Sequence, residues 1–77
     1  MERELRICSI INKVAKMSLD IQPDESLFES GLLDSFMLVD LIAGLEEEFG
    51  IKIPDSDLIP QRFDSVSKID QYISGRL

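Results

Sequence analysis

From Arg3 to Met17, the apolar residues Leu5, Cys8, Ile11, Val14 and Ala15 recur at helical spacing, with Arg6, Asn12, Lys13 and Lys16 left between them. This pattern predicts an amphipathic helix with one apolar stripe. From Ser18 to Asp34 the periodicity stops, and Pro23, Asp24, Ser26, Ser30 and Gly31 mark a loop. A connection of this length in a compact domain is either functional or pinned by its own apolar side chains. Leu27, Phe28, Leu32 and Leu33 are available as the pins.

The clearest periodic run is 35–49. At about 100° per residue, Leu38, Leu41, Ile42, Leu45 and Phe49 share one side and form a core stripe. Asp34 is placed to cap the start of this helix, and Gly50 to stop it. Ile51, Lys52 and Ile53 are extended, because Pro54 disfavours helix at the residue before it. Asp55 to about Ile59 then forms one short helical turn ended by Pro60. After Phe63, Asp64 or Ser65 caps a closing helix that carries Val66, Ile69, Tyr72 and Ile73 on one stripe. The expected fold is a single all-α domain over residues 1–77. It is a small bundle of three main helices plus one short helix, with the long loop between the first and second.

One feature of the 35–49 helix exceeds what a core stripe needs. Phe36, Val39 and Ala43 fall on a second arc near Ser35, with Asp40, Glu46 and Glu47 beside and between them. Apolar side chains rimmed by charge form either a surface tucked under the long loop or against another helix, or a docking patch for a partner. Gly44 adds a small residue that is expected on the outward side.

Composition narrows the classes of partner. Fifteen acidic against eight basic residues leave a net charge of −7 over 77 residues. That charge repels phosphate backbones and anionic lipid headgroups, which excludes nucleic acid and favours proteins with basic patches. It also favours a soluble monomer. No run approaches the roughly 18 continuous apolar residues of a membrane span, and the first residues lack a signal-peptide pattern, so no stable membrane insertion and a cytoplasmic location are expected. Cys8 is the single cysteine, expected as a small buried apolar group with no internal disulfide. Asp20, Gln22, Asp24 and Ser26 faintly resemble a calcium loop. That loop needs Gly at its sixth position and Glu at its twelfth, where this chain has Glu25 and Gly31. No metal site is expected.

Ser35 is the candidate for chemistry. Acting as an enzyme nucleophile it would need a base and oxyanion donors, and the chain contains no histidine and has little length to enclose such a network. No catalytic residue is assigned. As a passive attachment point the serine needs only to be exposed, and a phosphodiester there would meet the positive end of a helix dipole. The alternative is that Asp34 and Ser35 merely cap the helix.

The order and spacing of these segments resemble the acyl carrier protein family over nearly the whole chain. The resemblance rests on a first amphipathic helix, a long loop, Leu32-Leu33-Asp34-Ser35-Phe36, Leu45-Glu46-Glu47-Glu48-Phe49-Gly50, Ile51-Lys52-Ile53-Pro54-Asp55 and a closing 66–73 helix. It implies that Ser35, flanked by the motif residue Asp34, receives 4′-phosphopantetheine derived from coenzyme A. The enzyme that attaches it would be a carrier-protein synthase, a phosphopantetheinyl transferase. The arm's thiol would hold an acyl group as a thioester for partner enzymes of fatty acid, polyketide or related lipid metabolism, with no catalysis by the chain itself. Asp40, Glu46 and Glu47 match family positions that meet basic patches on acyl- or aminoacyl-activating and transferring enzymes, and Phe36, Val39 and Ala43 match the apolar positions between them. The commonest fatty-acid pattern has Ala or Gly with Asp before Asp-Ser-Leu. Leu-Leu-Asp-Ser is also similar to D-alanyl and other aminoacyl carrier proteins, the alternative for cargo. An unmodified acidic interaction module is the alternative from another class.

Overall fold

A computed structural model describes residues 2–16 and 21–77 of the chain. Three α-helices carry the fold: α1 (Glu2–Ala15), α2 (Ser35–Phe49) and α3 (Val66–Ser74). The described residues contain no strand. The expected three-helix bundle is present, with α1 packed on both α2 and α3. The expected end of the first helix at Met17, the start of the loop at Ser18 and the calcium-loop residue Asp20 lie outside the described residues.

α2 starts and stops where its sequence dictates. Asp34 is extended, and its carboxylate accepts the backbone N–H groups of Phe36 and Met37 at 3.0 and 2.9 Å. Those are two of the amides that the first turn leaves without a partner. At the other end Gly50 adopts φ 63°, a left-handed conformation that favours glycine, and donates to the Glu46 carbonyl. Ser65 caps α3 by accepting from Lys68 N–H, which decides between the two candidates for that role.

The single short turn expected between Asp55 and Ile59 resolves into two 3₁₀ turns, Asp55–Asp57 and Pro60–Phe63. Pro60 therefore opens a turn instead of ending one, since its fixed φ and missing N–H suit a first helical position. The second turn delivers Phe63 into the core as the largest fully buried side chain. There it meets the Tyr72 ring at 5.1 Å between centroids.

Leu38, Leu41, Ile42 and Leu45 of α2 are buried as expected, together with Val66, Ile69 and Ile73 of α3. Leu27, Leu32 and Leu33 pin the long loop, with Phe28 half-buried against them. Four expectations need correction. Leu5 is 72% exposed, because α1 is rotated so that Ile7 and Ile11 point to the core. Cys8 is only half-buried. Phe49 is half-buried too, lying at the rim where the Arg6 guanidinium stacks over its ring at 4.7 Å. Gly44 faces inward rather than outward, against Ile10 of α1.

Candidate functional site

Ser35 is the first residue of α2 and is exposed. Its neighbour Asp34 makes the capping bonds, so the cap role falls to the aspartate and the serine hydroxyl is not needed to hold the helix. A phosphodiester oxygen at this position would lie at the positive end of the α2 dipole. The residues present therefore fit a phosphate-linked group: the hydroxyl is accessible and the helix start is already satisfied without it.

The second arc of α2 lies open to solvent. Phe36 is 87% exposed and Val39 63%, and Asp40, Ala43 and Glu47 are exposed beside them. These five residues follow one another at helical spacing along one face that begins next to Ser35. The reading in which the loop or another helix covers this arc is excluded by that exposure. Glu46 differs from the rest. It is half-buried, and its carboxylate accepts the Ile53 N–H at 2.8 Å, which ties the extended segment after α2 back onto the helix. A groove of about 360 Å³ between α1 and α2 borders the arc, its lining including Ile10, Lys13, Asp40, Gly44, Glu47 and Glu48. Glu48 itself is engaged by Arg6, at 2.7 Å from Nε.

Ion pairs elsewhere brace the scaffold that presents this face. Arg3 bonds Asp70 and links α1 to α3; that hydrogen bond, with the guanidinium charge behind it, holds the Asp70 carboxyl below the usual carboxylate range. Asp57 of the first 3₁₀ turn accepts from the Tyr72 hydroxyl at 2.6 Å and from Arg76 at 2.9 Å. The Tyr72 hydrogen bond, with Arg62 and Arg76 adding to it, lowers the Asp57 carboxyl as well. Burial pushes the Tyr72 phenol up, and the bond to Asp57 adds to that. Among the described residues no group of histidine, cysteine or carboxylate side chains could hold a metal ion, and no helix is long and apolar enough to cross a membrane.

Sequence reasoning missed Asp64. Its carboxylate binds the Ser26 hydroxyl and the Phe28 N–H of the long loop. Only its place beside Ser65 marked it, as a rival cap.

Comparison with known proteins fits this geometry. A family described as phosphopantetheine attachment site matches residues 5–73. The D-alanyl carrier protein of Lactobacillus acidophilus is 32% identical over 69 residues, covering 90% of this chain and 87% of that protein. That of Streptococcus pyogenes serotype M5 is 34% identical over 73 residues, covering 95% and 92%. Among solved structures, a chain in the crystal structure of Bradyrhizobium japonicum glycine:[carrier protein] ligase complexed with its cognate carrier protein and an analogue of glycyl adenylate is similar, at a TM-score of 0.83 and 27% identity. The match covers 99% of this chain and all of that one. A chain in the complex of the same ligase with glycylated carrier protein gives a TM-score of 0.78 at 29% identity, covering 92% of this chain and 97% of that one.

Proposed function

The chain belongs to the phosphopantetheine-attachment family of carrier proteins, and on that premise we propose that it is an aminoacyl carrier protein whose Ser35 bears the prosthetic group. The family's group is covalent 4′-phosphopantetheine. The observation that carries the assignment to Ser35 is the division of labour at the start of α2: Asp34 caps the helix while the adjoining hydroxyl stands exposed. In attachment, Ser35 Oγ forms a bond to the phosphorus of coenzyme A that carries the pantetheine. The phosphoanhydride bond breaks, adenosine bisphosphate leaves, and the hydroxyl proton passes to a base of the transferase. The bound arm supplies a terminal thiol that holds the cargo as a thioester.

This chain's own residues do the presenting. Phe36, Val39 and Ala43 give a partner apolar contact beside the modified serine, and Asp40 and Glu47 attract basic groups on it. Glu46 contributes by holding Ile53 and offers its half-buried carboxylate at the edge of the same face. The chain acts as a monomeric cytoplasmic shuttle. Activation and transfer of the cargo belong to the partner enzymes.

The relatives named D-alanyl carrier proteins and the similar chains solved with a glycine:[carrier protein] ligase support an amino acid as cargo over a fatty acyl group. The Leu-Leu-Asp-Ser sequence that leads into α2 is consistent with that. An amino-acid-activating ligase is then the principal partner after the phosphopantetheinyl transferase. Holo-protein incubated with ATP and an amino acid:carrier-protein ligase, supplied with D-alanine or glycine, tests the cargo by intact mass. An aminoacyl adduct released by hydroxylamine is the expected result. Loading by an acyl-carrier synthetase with fatty acids, while no aminoacyl ligase loads any amino acid, would overturn the reading.

A further inference from the structure

Asp64 stands between the second 3₁₀ turn and the Ser65 cap of α3. An aspartate at such a place ordinarily caps the helix that follows. Here Ser65 does so, and the Asp64 carboxylate is turned to the long loop instead. Both of its oxygens lie 2.9 Å from the Ser26 hydroxyl, and one accepts the Phe28 N–H at 3.1 Å. Its backbone carbonyl accepts the Leu27 N–H at 2.6 Å. One residue thus clasps three consecutive loop residues.

The path continues toward the attachment serine. The Leu27 carbonyl accepts the Leu33 N–H at 3.0 Å, and both leucine side chains are buried. Leu33 immediately precedes Asp34, whose carboxylate fixes the first turn of α2. The carboxylate bonds to Ser26 and Phe28 flank the Leu27 link on both sides, and from there a backbone hydrogen bond, a peptide bond and the Asp34 cap lead to Ser35. Three loop donors thus converge on one residue, two of them on its carboxylate.

We infer that Asp64 is a positioning residue for Ser35: by clasping Ser26, Leu27 and Phe28 it sets where the loop delivers the serine, and so how well the modifying transferase recognises the carrier. The inference rests on the reading of Ser35 as the attachment point.

Amide hydrogen exchange and transferase kinetics on Asp64→Ala, Asp64→Asn and the control Asp70→Asn test it, at a temperature where all are folded. In Asp64→Ala the Leu33, Phe36 and Met37 amides should exchange roughly three- to tenfold faster, the factor that one net hydrogen bond represents, while amides of α1 and α3 keep their rates. The KM of the transferase for the carrier should rise by a similar factor at unchanged kcat. Asp64→Asn should restore most of both, since its amide oxygen still accepts from Phe28 N–H and Ser26, and Asp70→Asn should alter neither. Unchanged exchange at those three amides, a rise spread equally over all helices, or an unchanged KM would overturn the inference. Where Asp64→Ala does not fold, Ser26→Ala together with Asp64→Asn decides: faster local exchange in Ser26→Ala supports the inference and its absence overturns it. Wild-type protein that is never modified contradicts the attachment reading, and the exchange data still decide whether Asp64 orders the start of α2.

Discussion

Gly44 of α2 lies so close to Ile10 of α1 that a Cβ added to it would sit 2.9 Å from Ile10 Cγ2. The atom it would meet is fixed next to the Ile10 backbone, so relief requires a rotamer change or a shift of the helices. Glycine weakens a helix interior by about 1 kcal/mol relative to alanine, and overpacking a close contact costs about 1–3 kcal/mol. Gly44→Ala should therefore be destabilising despite its better helix propensity. In an Ile10→Ala background the same substitution should become stabilising. Chemical denaturation of the four proteins in this cycle gives the coupling directly; additive effects would mean that the crossing tolerates a methyl group.

The cost of truncation should differ sharply between two residues of α2. Leu45 is fully buried, so Leu45→Ala should cost about 2–5 kcal/mol. Phe49 lies half-buried under the Arg6 guanidinium, so Phe49→Ala should cost clearly less. Thermal melts check the order, and equal losses would place Phe49 in the core.

Asp34→Ala should lower stability by about 0.5–2 kcal/mol, since it frees two N–H groups of the first turn. Ser35→Ala should leave the melting temperature nearly unchanged. The pair of melts separates the cap from the proposed attachment point, and a large loss in Ser35→Ala would show that the serine hydroxyl is structural.

Two paired carboxyls make stability depend on pH in a defined direction. Asp70 is lowered from its ordinary 3.8 by the Arg3 hydrogen bond, and Asp57 likewise by the Tyr72 hydroxyl. A depressed folded pKa means that the unfolded chain binds the proton first. The contribution is therefore present above about pH 4 and is lost as the pH falls through the folded values. Asp70→Asn should show a smaller loss of stability than wild type on acidification below pH 4. Melts from pH 7 to 3 test this; parallel curves would mean that the Arg3 pair adds nothing.

What the sequence made legible was local. The Asp34 cap, the Gly50 stop and the buried face of α2 each depend on residues within a few positions of one another. The rotation of α1 was not, because Leu5, Ile7, Cys8, Ile10, Ile11, Val14 and Ala15 form a broad apolar band, and only packing against two helices selects Ile7 and Ile11 over Leu5. Gly44 and Asp64 lay beyond reach for the same reason, since their partners are Ile10, Ser26 and Phe28, far away in sequence. The exposed arc from Phe36 to Glu47 was visible as an excess of apolar residues, but Glu46 within it turned out to have an internal partner that no pattern signals.

Charge and contact on the proposed docking arc should separate in kinetics. Glu47→Lys should slow phosphopantetheine transfer most at low salt, because exposed charges steer encounter and are screened as ionic strength rises. Phe36→Ala should weaken the complex at every salt concentration and melt within about 0.5 kcal/mol of wild type, as exposed substitutions do. Early melting of Phe36→Ala, combined with a salt-independent rate for Glu47→Lys, would move the docking face elsewhere.

The most direct measurement is intact-mass analysis after incubation with coenzyme A and a broad-specificity phosphopantetheinyl transferase. Wild-type protein should gain a single phosphopantetheine and Ser35→Ala none. Wild type left unmodified after a control carrier is fully converted, or a modified Ser35→Ala variant, would contradict the account.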